Sequence, residues 1–266
     1  MAEIRDRFQV NLPFPKMETY GRWFIDRGLA PEIGLSGPVL DHTADAAFRT
    51  WARAFQGRRL TVHAPFMELS PGGTDPEVVR ITRRRLCRAA EAAGILGASA
   101  MVCHAGYEYR RYPHGAERWV TESVRTWNVV LEAGAKSGLT ILLENVYERD
   151  PEMIRRVLAE ADNPRLKACF DTGHFNVWSR RPLPEWLEAL EPRLARLHLH
   201  DNDGSFDQHL PIGEGSFDFR GLLLRLKERG LSPGITLEPH TRRRFFRTFR
   251  AFRILMEEFD PARLGP

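Results

Sequence analysis

Residues 140–171, TILLENVYERDPEMIRRVLAEADNPRLKACFD, contain the pattern that decides the fold. The short apolar run at 140–144 is followed by an amphipathic stretch at 151–160 and by a second apolar run at 166–171. Short runs of this kind are typical of buried strands, and helical periodicity between two of them predicts parallel strands joined by a helix. Each apolar run also ends in an acidic residue.

The same alternation continues along the rest of the chain. The other predicted strands are residues 8–12, 32–35, 59–63, 98–104, 194–200 and 234–238. The other predicted helices are residues 17–27, 43–55, 75–93, 116–137, 183–190, 219–229 and 241–257. Eight strands alternating with eight helices predict an α/β protein with one domain, residues 1–266, folded as a closed (β/α)8 TIM barrel. An open doubly wound sheet is the alternative, which is disfavoured because no GxGxxG motif follows the first strand.

Composition places the chain among globular proteins. Its 266 residues are 42% hydrophobic and 28% charged, which are ordinary fractions for a protein with a sizeable core. No apolar run is long enough to span a membrane, and the N-terminal residues lack the apolar core of a secretion signal. The sparse cysteines, Cys87, Cys103 and Cys169, are typical of reduced thiols. We therefore expect a cytoplasmic protein without a membrane partner, whose oligomeric state the sequence does not define.

The net charge of +4 comes mostly from arginine. Guanidinium groups bind phosphate, so such a surface is compatible with a phosphorylated sugar or a nucleic acid. Arginine is much more frequent than lysine along the chain, and we interpret the overall charge as a consequence of that general preference. At residues 242–253 arginines and phenylalanines recur at helical spacing, which predicts an amphipathic last helix packed on the barrel in preference to a nucleic-acid-binding patch.

Residues that commonly bind metals are concentrated where the predicted strands end. They are His63, His104, Glu144, Asp171, His174, His198, His200, Asp207, His209 and Glu238. In a TIM barrel the carboxyl ends of the strands converge on one cleft, so we expect these side chains to meet there. Imidazoles and carboxylates suit zinc, manganese or a similar divalent metal. Asp207 and His209 lie in a glycine-containing loop, which is expected to fold back over the strand ends.

Three carboxylates close apolar strands: Glu144, Asp171 and Glu238. Burying a carboxylate is costly unless it is paired or bound to a metal. A glutamate paired with a neighbouring arginine would explain one such position, but three of them make a metal-binding cage the preferred interpretation. His198 and His200 are two residues apart, so they point to the same face of a strand at different depths, and either or both could be ligands.

The ordered motifs HAP, HAG, LLEN, FDTGH, HLHD, DxH before GEG, and LEP resemble those of the xylose-isomerase-like TIM-barrel superfamily over about residues 8–257. This superfamily includes sugar phosphate isomerases and epimerases and, as AP endonuclease family 2, the endonuclease IV-like enzymes. The resemblance to sugar epimerases implies one divalent metal bound by Glu144, Asp171, His198 and Glu238. His198 is chosen because HLHD resembles the family's H-x-x-D, and His200 is the reserve ligand. The resemblance to endonuclease IV implies up to three metals, with further ligands at His63, His104, His174, Asp207 and His209.

The epimerase resemblance implies proton transfer through a metal-stabilised enediolate, with Glu144 and Glu238 as the catalytic carboxylates. The candidate substrate-binding residues are His200, His240, Arg110 and Arg111. The first hypothesis is therefore a divalent-metal-dependent isomerase or epimerase acting on a small-molecule sugar or sugar phosphate.

An endonuclease IV-like, metal-dependent phosphodiesterase acting on abasic DNA is the alternative, and only under it is nucleic acid a partner. The segments HAPF, HAGYEYRRYP and LLENVYE match the corresponding endonuclease segments poorly, which ranks this hypothesis second. A sugar-binding barrel without catalytic activity is a third hypothesis, disfavoured because every ligand that the resemblance implies is present.

Overall fold

The computed structural model describes residues 8–259 and contains a closed barrel of eight parallel strands. The strands are β1 (Gln9–Pro13), β2 (Ala30–Gly34), β3 (Thr61–His63), β4 (Ala100–His104), β5 (Thr140–Glu144), β6 (Leu166–Asp171), β7 (Leu194–Leu199) and β8 (Gly234–Leu237). Neighbouring strands pair in chain order, and β8 pairs with β1, so the sheet has no edge. The predicted TIM barrel is confirmed, and the alternative of an open doubly wound sheet is wrong.

Ten α-helices are present within residues 8–259. They are α1 (Met17–Asp26), α2 (Gly37–His42), α3 (Asp45–Ala54), α4 (Pro76–Leu96), α5 (Ala116–Ala133), α6 (Glu152–Ala161), α7 (Thr172–Trp178), α8 (Leu183–Leu190), α9 (Phe219–Glu228) and α10 (Arg242–Phe259). Eight of them correspond to the predicted helices. The sequence pattern does not predict the short helices α2 and α7. Each is too short to show a helical period.

End signals explain the bounds of the long helix α4. At its start the Asp75 carboxylate accepts a hydrogen bond of 2.8 Å from the backbone N–H of Glu77, and Pro76 occupies the first turn. At its end Gly97 adopts the left-handed conformation, with φ 73°. The glycine at position 94 favours a helix end at residue 93. The helix instead continues through Gly94 to Leu96, and Gly97 ends it.

The inside of the barrel has an apolar part and a polar part. Alternate residues of each strand point toward the barrel axis. The apolar part is formed by Ala100, Val102, Leu142 and Cys169. The polar part consists of four buried residues joined by hydrogen bonds, Gln9, Glu32, Thr61 and Thr236. A barrel interior is usually filled by branched apolar residues, so the polar part is a chain-specific feature.

The larger apolar core lies between the barrel and the helices. Helix α10 contributes Phe245 and Phe252 to it, while Arg243, Arg250 and Arg253 are exposed on the other side of the helix. The predicted amphipathic last helix is thereby confirmed. None of the helices in residues 8–259 combines the length and the apolarity that crossing a bilayer would require.

Candidate metal centre

The carboxyl end of the barrel brings the first donor group together. His63, His104 and Glu144 are the last residues of β3, β4 and β5. The Oε2 atom of Glu144 lies 3.1 Å from Nε2 of His63 and 3.4 Å from Nε2 of His104. Two imidazole nitrogens therefore face one carboxylate oxygen, and the three donor atoms lie within 4.8 Å of one another. The predicted histidines and Glu144 are adjacent, as parallel strand ends require.

A second donor group surrounds His198, which is completely buried. Its Nδ1 atom lies 2.8 Å from Oε1 of Glu144, 3.0 Å from Oε1 of Glu238 and 3.8 Å from Oδ2 of Asp171. One imidazole nitrogen thus faces three carboxylates that come from three different strand ends. These four residues are the ones that the resemblance to sugar epimerases implies as a single metal site.

The third donor group includes a loop, as expected from the sequence. Oδ2 of Asp207 lies 3.0 Å from Nε2 of His209 and 3.5 Å from Nε2 of His174. Oδ1 of Asp207 lies 3.5 Å from Nδ1 of His200. His209 adopts a left-handed backbone conformation with φ 47°, which is unfavourable for a residue other than glycine and is typical of constrained functional loops.

The loop that carries Asp207 and His209 is fixed by Asp201. The carboxylate of Asp201 accepts hydrogen bonds from the backbone N–H groups of Gly213 and Gly215, both at 2.9 Å. The Asp201 backbone also pairs with Leu210 in an isolated antiparallel bridge. The GEG segment therefore supplies amides that hold the loop closed over the strand ends, instead of supplying ligands itself.

The two carboxylate oxygens of Asp171, at the end of β6, make different contacts. Its Oδ1 atom accepts a 2.6 Å hydrogen bond from the backbone N–H of His174 and caps helix α7. Its Oδ2 atom lies 3.0 Å from Nε2 of His200. The intervening Gly173 packs directly on that imidazole, because a Cβ atom on Gly173 would lie only 2.0 Å from Cε1 of His200. The short spacing of DTGH thus places an acid and a histidine at one cavity while leaving room for His200.

His198 and His200 both line the site, at different depths. His198 lies below the carboxylates, whereas His200 stacks on His209 with ring centres 3.8 Å apart. His240 stacks on His209 at the same separation. The sequence left open which histidine of HLHD contacts the carboxylates, and the structure shows contacts from both.

The donor set fits a divalent cation better than an ion-pair network. The carboxylates of the three donor groups, Glu144, Asp171, Asp207 and Glu238, are buried or half-buried. Among residues 8–259, none of these four forms an ion pair with arginine or lysine; their partners are histidines. Buried polar atoms of the site that have no hydrogen-bond partner within the described chain include Nε2 of His198, Nδ1 of His200 and Oδ1 of Asp207. Converging lone pairs of this type are what zinc, manganese and related metals bind.

The pKa values of the histidines differ strongly across the cluster. Burial lowers the pKa of His104 to about 3, so this imidazole is neutral and able to act as a ligand. Burial also opposes protonation of His174, but Asp171, Asp207 and Glu144 together raise its pKa to about 10. Protons on buried histidines therefore balance the carboxylates when no cation does so.

Glu32 belongs to the site, although the sequence pattern indicates only that a strand begins there. It is fully buried, and its Oε1 atom lies 3.0 Å from Nε2 of His198. Its Oε2 atom accepts hydrogen bonds from Thr61 at 3.0 Å and Thr236 at 2.9 Å. Burial would raise the pKa of Glu32, but the adjacent positive charge of His198 lowers it to about 2. An acidic residue inside the apolar run APEIG was the signal that could have revealed it.

The predicted substrate-binding residues lie on two sides of the centre. Arg110 and Arg111 line a cavity next to His104, together with Arg149 and Arg180, which the sequence did not single out. His240 lines a different cavity, between the ends of β1 and β8. The structure therefore brings the two arginines together but separates them from His240.

These features define a TIM-barrel protein whose candidate functional centre lies at the carboxyl ends of the strands, where TIM-barrel enzymes have their active sites. The chain belongs to the xylose isomerase-like TIM barrel family, whose model matches residues 29–260. The family resemblance recognised from the motifs is thereby confirmed.

Two of the similar solved structures illustrate a match over nearly the whole chain. The TTHB071 protein from Thermus thermophilus, soaked with ZnCl2, is 30% identical with a TM-score of 0.80, covering 95% of this chain and 98% of that one. A D-tagatose 3-epimerase-like protein is 25% identical with a TM-score of 0.81, covering 96% and 99%.

Curated relatives are more distant or shorter matches. The uncharacterized protein MJ1311 from Methanocaldococcus jannaschii is 30% identical over 186 residues, which are 67% of this chain and 64% of the relative. A probable endonuclease 4 from Mycobacterium leprae is 24% identical over 186 residues, which are 64% of this chain and 69% of the relative. The chain thus spans less than two thirds of the length of MJ1311.

Proposed function

We propose that this protein is a divalent-metal-dependent isomerase or epimerase of a small sugar. The observation that carries the proposal is the geometry around His198, where one imidazole nitrogen faces Glu144, Glu238 and Asp171. Family membership and the likeness to a D-tagatose 3-epimerase-like protein support it. The proposal includes a cytoplasmic location, which free cysteines at positions 87, 103 and 169 support.

The proposed chemistry is proton transfer at a carbon next to a carbonyl group. A divalent metal bound by Glu144, Asp171, His198 and Glu238 would act as a Lewis acid toward that carbonyl. Glu144 ends β5 and Glu238 follows β8, so their carboxylates approach a bound sugar from two sides. One carboxylate removes the proton. The other returns a proton, to the adjacent carbon in an isomerisation or to the opposite face of the same carbon in an epimerisation. The other histidines exclude water and hold the sugar hydroxyl groups.

Metal content and a ketose panel test this proposal together. The protein is purified without a chelator or a nickel column, its metals are counted by plasma mass spectrometry, and ketoses are assayed by chromatography of the products. One manganese, cobalt or magnesium ion per chain with conversion of a ketose would support the proposal. No metal after reconstitution and no conversion would refute it.

The second candidate function is an endonuclease IV-like phosphodiesterase, which a specific observation favours. The donor groups around His63–His104, His198 and His174–His209 are three neighbouring clusters that share Glu144 and Asp171. Three metals a few ångströms apart would suit activation of water and stabilisation of the leaving oxygen of a phosphodiester. Two or three zinc ions per chain with cleavage of abasic DNA would support this candidate.

His209→Ala separates the two candidates. Nε2 of His209 lies 3.0 Å from Oδ2 of Asp207, and its Nδ1 atom lies 3.2 Å from the backbone carbonyl oxygen and 3.6 Å from Oε2 of Glu238. If a single metal at His198 is sufficient for catalysis, the activity of His209→Ala should stay within a few-fold of that of the unmodified protein. If the third donor group is required, activity should fall by roughly 100-fold, the upper end of the usual cost of disturbing a metal site. His42→Ala, an exposed histidine at the end of α2, is the matched control.

Glu32→Gln should weaken metal binding by roughly 10- to 100-fold. Oε1 of Glu32 lies 3.0 Å from Nε2 of His198, on the side of the ring away from Nδ1, so its charge favours the orientation in which Nδ1 faces the carboxylates. Glutamine keeps the shape but loses the charge and directs an amide N–H group toward the ring. Competition with a fluorescent chelator measures the affinity, and Glu91→Gln on the outer surface of α4 is the control. An unchanged affinity would mean that Glu32 does not orient His198.

A further inference from the structure

A cavity of about 480 Å³ opens beside the candidate metal centre. Its walls are the loops that follow β3, β4, β5 and β6, and its inner wall includes His104. Nε2 of His104 lies 3.4 Å from Oε2 of Glu144, so the cavity is continuous with the centre. Its volume lies within the range of small-molecule sites, about 300 to 1,000 Å³. We call it the arginine cavity.

The charge of the arginine cavity is predominantly positive. Its arginines are Arg110, Arg111, Arg149 and Arg180. Two acids, Glu68 and Glu108, also line it, and Glu108 lies 3.9 Å from Arg110. Within residues 8–259 the other three arginines have no carboxylate partner, whereas outer-surface arginines such as Arg83 and Arg156 pair with glutamates. Unpaired guanidinium groups around a concave site attract an anion.

Arg149 is held in place before any ligand binds. It is half-buried, and its guanidinium carbon lies 3.3 Å from the ring centre of Tyr109. It also donates a hydrogen bond to the Tyr109 hydroxyl group. The backbone N–H of Arg180 donates to the Arg149 carbonyl at 2.7 Å, which joins the two arginine-bearing loops. A guanidinium group fixed in this way loses little conformational entropy when it binds a phosphate or carboxylate.

The rim of the arginine cavity is aromatic. Phe66 and Tyr147 line the cavity and are 42% and 46% exposed. Phe66 stacks on His104 with ring centres 4.3 Å apart, and Tyr147 packs edge-on against Trp178 at 5.1 Å. Aromatic faces beside fixed cations suit a molecule with an apolar C–H face and an anionic end.

We propose that the arginine cavity binds an anionic group on the substrate, the phosphate of a phosphorylated ketose or the carboxylate of a sugar acid. Guanidinium forks bind both groups through paired, charge-assisted hydrogen bonds. The reacting carbons then lie toward His104 and the carboxylates. The placement of the reacting carbons rests on the proposed function, whereas the binding of the anion does not.

Calorimetric titration of the protein as purified with D-fructose 6-phosphate, D-glucuronate and D-fructose tests the inference. We expect one anionic probe to bind more tightly than D-fructose, and the phosphate and carboxylate probes distinguish the two sources of the anion. The affinity for that anionic probe relative to D-fructose should fall roughly 10- to 100-fold in Arg149→Gln and in Arg180→Gln, because each variant loses hydrogen bonds to a charged group. Arg180 is exposed, so its variant should fold normally even if Arg149→Gln disturbs the loop.

The control is Arg84→Gln, which removes an exposed arginine of α4 outside the cavity. Equal binding of the three probes, or an anion preference that survives both cavity variants, would overturn the inference. Arginine-dependent binding of an abasic DNA duplex with no binding of either small anion would also overturn it. Arginine-dependent anion binding without turnover of any ketose would support the inference and count against the isomerase. Turnover of a neutral ketose at the same rate in the unmodified protein and in both cavity variants would support the isomerase and count against the inference.

Discussion

Glu144→Gln should lower turnover by roughly 100- to 10,000-fold, the contribution expected of a positioned general acid or base. Glu144 is the residue that joins the donor groups, since Oε2 faces His63 and His104 while Oε1 faces His198. Its pKa lies well below the ordinary value, because His198, His63 and His104 outweigh the effect of burial. Glutamine keeps the size but cannot carry the negative charge or accept a proton.

The measurement is steady-state kinetics on the ketose or the abasic DNA that the unmodified protein converts, with metal content determined on the same sample. Glu188→Gln, an exposed glutamate of α8, is the control for the same chemical change. Circular dichroism of the same sample checks the fold, because removing one partner of a buried ion pair is destabilising. Turnover within tenfold of the unmodified protein would exclude Glu144 from both catalysis and essential metal binding.

The barrel and much of its centre were predictable because both follow from local pattern. A five- or six-residue apolar run between amphipathic stretches has few alternatives to a buried parallel strand. Once the strands are parallel and closed into a barrel, the residue after each run lies at the same end of the sheet. His63, His104 and Glu144 were therefore placed in one cleft by topology, without knowledge of any side-chain contact.

Glu32 was not predictable in the same way, because its partners are remote in sequence. Its hydrogen bond from Thr236 joins residues separated by 204 positions, and it exists only because β8 closes against β1. A sequence pattern shows that Glu32 points to the same face as other inward residues, but not which side chains meet it. The polar part of the barrel interior is a consequence of closure.

The loop at 201–217 shows a second limit of pattern analysis. Its polar composition is typical of a solvated loop, and only the neighbouring motifs suggested ligands there. The amides of Gly213 and Gly215 bind the Asp201 carboxylate, which determines that the loop folds inward. Likewise, strand periodicity put His198 and His200 on one face, but only the carboxylate positions show that His198 contacts three of them.

Removing the metal should abolish activity and lower the thermal midpoint of unfolding, with both restored by adding the metal back. The loss of stability follows mass action, about 4 kcal/mol when the free metal had been at 1,000 times its dissociation constant. Differential scanning fluorimetry before and after dialysis against a chelator measures the shift. Chelation that leaves the midpoint and the activity unchanged would contradict a metal centre at these residues.

Metal uptake should also release protons, and its affinity should rise with pH. Neighbouring carboxylates raise the pKa of His174 to about 10 despite burial, so this imidazole is protonated at neutral pH in the metal-free protein and must lose its proton to become a ligand. In the metal-free protein the stabilisation from His174 is complete below the unfolded pKa of about 6.5 and is lost as the pH rises through about 10. The stabilisation by metal is therefore expected to grow between these pH values.

Calorimetric metal titrations in two buffers with different ionisation enthalpies count the protons released. His174→Ala should reduce that count and His42→Ala should not, because His174 faces Asp171 and Asp207 whereas His42 is exposed at the end of α2.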